Sequence, residues 1–131
     1  MKPIKQPVIP MLVYEDVEAA QNYLVKVFGF ERGALERADG GLAVHAEVHV
    51  KDFVIWMHRV LPEHGLASAR SLPAVPGGLV VYVDDVDAHY DFARRNGATI
   101  DSVPADQPYG QREYAARDLE GLRWYFATRK T

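Results

Sequence analysis

Apolar positions along this chain fall into short alternating stretches and two longer helical ones, and their order repeats. Residues 9–14 read as a first strand. Asp16 then offers a helix N-cap, and Val17, Ala20, Leu24, Val27 and Phe28 follow at helical spacing up to Gly29. Residues 30–37 predict a second, more polar strand, and Asp39-Gly40-Gly41 a hairpin turn. Residues 42–50 and 53–59 predict strands three and four around a tight Lys51-Asp52 turn. Residues 61–77, with Pro62, Pro73, Pro76, Gly65, Ser68 and Ser71, read as a linker. The same order then returns. A strand over 79–83 leads to a helix over 86–96, capped by Asp85 and stopped by Gly97. Strands over 99–103, 111–117 and 122–128 follow, the last two joined at Asp118-Leu119-Glu120-Gly121.

The repetition has one fixed offset of 69 residues. The run from Met11 to Ala19 lies over Val80 to Ala88, and Phe53 to Met57 lies over Leu122 to Phe126. A constant offset in two separate segments points to two copies of one β-α-β-β-β unit. The predicted fold class is therefore α+β: tandem modules over 7–60 and 78–129 that form curled sheets around a central cup, with the helices on the outer face. The whole of 1–131 reads as a single domain.

Composition narrows the function. With 131 residues, 48% hydrophobic and 25% charged, the chain can bury a core without a metal or disulfide to hold it. It has no Cys, which removes thiolate metal sites and a Cys nucleophile. A net charge of -3 without a basic stripe argues against nucleic acid as partner. The apolar runs are too short to cross a membrane, and Met1-Lys2-Pro3-Ile4-Lys5-Gln6-Pro7 lacks a signal peptide's apolar core. A cytoplasmic location is the expectation.

The tandem plan, His45-Ala46-Glu47-Val48 before strand four, and the run from Gln111 to Gly121 resemble the glyoxalase/bleomycin-resistance/dioxygenase superfamily, also called vicinal oxygen chelate. The resemblance covers nearly the whole chain. Leu119 departs from it, standing where the family's last turn usually has Pro. The fold hosts lyases, isomerases, dioxygenases and drug-sequestering proteins, so it does not choose among them. Family enzymes hold a divalent metal with His, Glu or Gln from the first and fourth strands of each copy. The resemblance places those positions at Ile9, Trp56, Gly78 and Tyr125, none of which is a usual ligand type. It also implies a homodimer, often with cups completed by both chains.

Alternation puts Val54, Trp56 and His58 on the cup face, and Phe53, Ile55 and Met57 toward the helix. By the same parity Tyr125 faces the cup, while Trp124 and Phe126 face the core. Trp56 and Tyr125 would then give an aromatic floor for a flat or conjugated ligand. The Lys51-Asp52 turn sets His45 opposite His58 and Glu47 opposite Trp56, adding polar contacts. Met11 and Tyr82, from the first strand of each copy, and Glu113 and Arg117, on one face of the seventh strand, complete the candidate wall. Glu113 and Arg117 read equally as a solvated ion pair.

His45 and His49 stand about 13 Å apart along a strand and should not share one ion. His45, Glu47 and His58 are close enough for iron, zinc or manganese. Two readings follow. In the leading one the protein binds a small molecule without a metal or other cofactor, as in the bleomycin-resistance branch. In the other it is an enzyme with a relocated His45/Glu47/His58 metal or a metal-free acid–base site. Glu15, Asp16, Asp84 and Asp85 read as helix caps and first-turn acids. His64 and His89 read as solvated. Ser68, Ser71 and Ser102 lack a nucleophile elbow, and no phosphate-binding glycine loop is present.

Overall fold

A computed structural model describes residues 5–130; the reading of Met1 to Ile4 as part of a non-secretory N-terminus lies outside them. Two four-stranded sheets each carry one helix. The first sheet has the order β1 (Met11–Tyr14), β4 (Phe53–Arg59), β3 (Ala43–Val50) and β2 (Glu31–Arg37). The second repeats it as β5 (Gly78–Tyr82), β8 (Arg123–Arg129), β7 (Gln111–Arg117) and β6 (Thr99–Gln107). In both, the first and last strands of the module run parallel and the other neighbours antiparallel. No described strand of one sheet bonds the other. No helix of the described residues is long and apolar enough to cross a membrane.

Helices α1 (Val17–Lys26) and α2 (Val86–Arg95) start where their caps dictate. The Asp16 carboxylate accepts from the Ala19 amide and Asp85 from the Ala88 amide. Gly29, at φ 76°, ends the first helical segment in a backbone conformation that a side chain would disfavour. The apolar stripe of α1 (Val17, Ala20 and Leu24) is fully buried. Gln21 is buried too. Its amide donates to the carbonyls of Gly33, Ala34 and Glu47, so α1 holds β2 and β3 where β2 bulges.

A shared core joins the modules. Phe28 and Phe30, just after α1, pack 4.9–6.2 Å from the rings of Trp124 and Phe126 on β8. Two polar joints flank it. In one, the last turn of module two reaches the start of α1. Asp118 accepts from the Tyr14 hydroxyl (2.6 Å) and the Trp124 indole N–H (3.0 Å), and Glu120 accepts from the amides of Glu15 and Asp16. Both acids are buried. The repeat-related joint is open, with an exposed Lys51–Asp84 pair at 3.4 Å beside a cleft of about 360 Å³.

Several expectations need correction. β6 runs on to Gln107, through Pro104, because it is an edge strand whose pairing shifts between Ser102 and Ala105, where a missing N–H is tolerated. Residues 61–77 are partly structured, with 3-10 turns at Pro62–His64 and Ala69–Ser71. Ser68 is buried there and donates to the Glu15 carboxylate at 2.6 Å. Phe53 has the parity of Ile55 and Met57 but is 60% exposed, because it stands at the first position of β4 and borders an open groove. His89 is not solvated. Its Nε2–H donates to the Phe28 carbonyl and its ring stacks on Phe126 at 4.2 Å.

Candidate functional site

The two-residue turn at Lys51-Asp52, with Lys51 at φ 53°, fixes the β3–β4 register. That register sets His45 opposite His58, Glu47 opposite Trp56 and His49 opposite Val54. Met11 lies beside Trp56 across the parallel pair. Side chains on the other face of the sheet, such as Ile55 and Met57, enter the core. The first candidate wall therefore points away from the core. Its centre is Trp56, still 38% exposed, with the His45 ring edge-on at 5.6 Å. His45 Nε2 stands 3.5 Å from Glu47, a weak contact, and the His45 and His58 ring centres are 6.3 Å apart.

The corresponding face of the second sheet carries Tyr125, flanked across the strands by Val80 and Ala115. Glu113 lies on it opposite Ala127, and Arg117 opposite Arg123. Glu113 is part of a hydrogen-bond chain. Tyr109 and Gln111 both donate to one of its oxygens, and the Tyr82 hydroxyl donates to Gln111. The contact with Glu113 and burial raise the Tyr109 pKa. Arg123 and Arg129 lie over the rings of Tyr125 and Tyr82 at 5.4 and 5.0 Å. Arg117 is not paired with Glu113. They stand four residues apart along β7, and Arg117 instead binds Asp101 through two nitrogens at 2.7–2.9 Å. That pairing raises its pKa.

The structure thus gathers His45, Glu47, Trp56, His58 and Met11 on one wall, and Tyr82, Glu113 and Tyr125 with Arg117 at the end of another. Arg123, Arg129, Gln111 and Tyr109 belong to the second wall but were not singled out in the sequence. Arg123 and Arg129 share the parity of Tyr125 along β8, which was a usable signal. Tyr109 sits in a turn and gave none.

A divalent metal does not fit the positions the fold family uses. Ile9 precedes β1, Trp56 and Tyr125 offer rings, and Gly78 has no room. A Cβ there would stand 2.7 Å from the Arg123 carbonyl oxygen. The relocated set fares no better. The described residues contain no group of three His, Cys, Asp or Glu placed to hold an ion. What the two walls offer chemically is aromatic surface with hydrogen-bonding groups at its margin.

Comparison with known proteins agrees with this architecture. An uncharacterized protein of Mycobacterium bovis is 30% identical over 119 residues, covering 88% of this chain and 78% of the relative. The crystal structure of TioX from Micromonospora sp. ML1 matches with a TM-score of 0.72 at 30% identity, over 95% of this chain and 96% of TioX. TnmS3, an antibiotic binding protein from Streptomyces sp. CB03234, matches with a TM-score of 0.71 at 21% identity, over 98% and 100% of the two chains. The model of the Glyoxalase/Bleomycin resistance protein/Dioxygenase superfamily matches residues 7–126, and the chain belongs to that superfamily.

Proposed function

We propose that this member of the superfamily binds an aromatic or conjugated small molecule without a metal, in the manner of its bleomycin-resistance branch, and acts in the cytoplasm. The observation that carries the reading is Trp56. Its neighbours along β4, Ile55 and Met57, are buried, yet this large ring stays part-open with His45 against its edge. A flat ligand stacking there recovers burial and ring–ring attraction. His45, Glu47 and His58 supply polar contacts beside it, and Tyr125 a second aromatic surface. The fold is compatible with such a role, since TnmS3 is described as an antibiotic binding protein.

The reading includes a homodimer. Neither wall is covered by its own chain, and Met11, Val80 and Tyr82 are exposed on them. A groove of about 470 Å³ lies between the segment holding Gln6, Val8 and Pro10 and the free edge of β5. Apolar surface and an unpaired strand edge both favour association. The walls also differ in charge. The first carries Glu31, Glu36 and Glu47, and the second Arg117, Arg123 and Arg129 against Asp101 and Glu113. Module one of one copy is then matched to module two of another.

The test is fluorescence. Trp124 is fully buried and hydrogen-bonded, so ligand-dependent emission reports Trp56. A screen of conjugated molecules yields a quenching ligand, and Trp56→Ala weakens it at least about tenfold, the equivalent of roughly 1.4 kcal/mol. Equal affinity in a folded Trp56→Ala protein overturns the aromatic floor. A monomer mass by light scattering overturns the shared cup, and one zinc, iron, nickel or manganese per purified chain overturns metal-free binding.

A further inference from the structure

Away from the aromatic centre of the first wall and at the end of the second, the segment between the modules crosses the end of the β7–β8 hairpin and leaves a cleft of about 480 Å³. Arg70 comes from the 3-10 turn Ala69–Ser71, and Arg117 and Arg123 form a cross-strand pair on β7 and β8. Leu72 and Pro73 close the apolar side.

The charges around this cleft do not balance. Arg117 and Arg123 share one carboxylate, Asp101. Arg117 takes it with Nε and Nη2, while the Arg123 Nε stays 3.7 Å away and makes no hydrogen bond. That Nε is buried and unpaired, a costly state for a charged donor. Glu120 also borders the cleft, but both its oxygens accept from main-chain amides at the start of α1. Arg70 touches only the uncharged carbonyl of Leu119, at 3.4 Å. Three guanidinium groups therefore face two carboxylates among the described residues, Asp101 and Glu120, and the oxygens of Glu120 are already taken by amides. Guanidinium forks match carboxylate and phosphate oxygens in geometry as well as charge.

We propose that this cleft is a second binding site, which takes the carboxylate or phosphate group of a small molecule between Arg70, Arg117 and Arg123. A bound oxyanion gives the Arg123 guanidinium a partner beyond Asp101 and offsets the charge of Arg70. The site is independent of stacking at Trp56, so Trp56→Ala retains it.

Inorganic phosphate and citrate, each titrated at constant ionic strength against chloride, test the proposal. The arginine Nε–H resonances of the whole chain are followed by NMR, with Arg123 assigned by its loss in Arg123→Lys. The expected result is a saturable shift of the Arg123 signal at millimolar anion, with affinity reduced about tenfold or more in Arg70→Gln and, followed through the Arg117 signal, in Arg123→Lys, which keeps charge but loses the fork. Arg37→Gln, at a distant exposed pair, behaves as the parent. Tighter binding of citrate assigns a carboxylate ligand, and tighter binding of phosphate a phosphorylated one. No saturable shift, an equal response to chloride, or unchanged affinity in Arg70→Gln overturns the site.

Discussion

Asp118 offers the sharpest test of how the two modules are held together, through Asp118→Asn. Its carboxylate is buried, pairs with no cation among the described residues, and is solvated by four protein donors. Oδ1 accepts from the amides of Glu120 and Leu122, and Oδ2 from the Tyr14 hydroxyl and the Trp124 indole. In the variant an NH2 group replaces one oxygen. If it takes the Oδ2 place, the Tyr14 hydroxyl can rotate and accept, but the indole N–H can only donate. That donor is left buried and unpaired; if the amide flips, the turn amides lose their acceptor instead. A lost hydrogen bond to a charged group costs about 1.5–3 kcal/mol and an unpaired buried donor about 1–3. The expected loss is roughly 3–5 kcal/mol. At this chain length that is a fall in Tm of about 10–20 °C. Urea unfolding followed by circular dichroism measures it, and the cycle with Trp124→Phe should show coupling above about 1 kcal/mol. A variant within about 1 kcal/mol of the parent, or strictly additive costs, would refute the reasoning: desolvation of the carboxylate would then offset its hydrogen bonds.

Two further predictions follow from packing. Burial lowers the His89 pKa, partly opposed by its bond to Phe28, so the folded state holds a neutral ring with Nδ1 accepting from the Tyr114 hydroxyl at 2.6 Å. The unfolded chain then binds the proton more readily. The contribution of His89 to stability is full above about pH 6.5 and falls as the pH drops through and below that value. Denaturation midpoints of His89→Gln should accordingly depend less on pH between about 7 and 5 than those of the parent, and parallel curves would contradict this. Gly78→Ala should lose roughly 1–3 kcal/mol in urea unfolding, since its Cβ meets the Arg123 carbonyl oxygen at 2.7 Å and one of the two backbones must shift.

The architecture was legible because duplication wrote it twice. The 69-residue offset, the Asp16 and Asp85 caps and the short turn at Lys51-Asp52 were each sufficient to place an element or a register. Parity alone then separated Trp56 from Met57 and Tyr125 from Trp124. Tertiary placement was not legible. Parity could say which face Phe53 occupies but not that it borders an open groove. Nothing local marks Asp118 and Glu120 as buried, because their module-one partners, Tyr14, Glu15 and Asp16, lie 104 or 105 residues away in the chain. His89 escaped for the same reason, as its acceptor is a carbonyl in the other module. Arg70 lies in a segment whose proline and serine content hides its two ordered turns.

The inequality of the two polar joints has a mechanical meaning. One end of the contact between modules is riveted by buried acids that grip main-chain amides and an indole, so sliding there would strand several donors at once. The other end has the single His89–Phe28 hydrogen bond and an exposed Lys51–Asp84 pair, which water and salt can replace at little cost. Any rocking of one half against the other must therefore swing about the Asp118–Glu120 end and gape at the Lys51–Asp84 end. In a duplicated chain the copies need not remain equal: here one copy's turn has become a fixed axle, while its twin has been left as a latch.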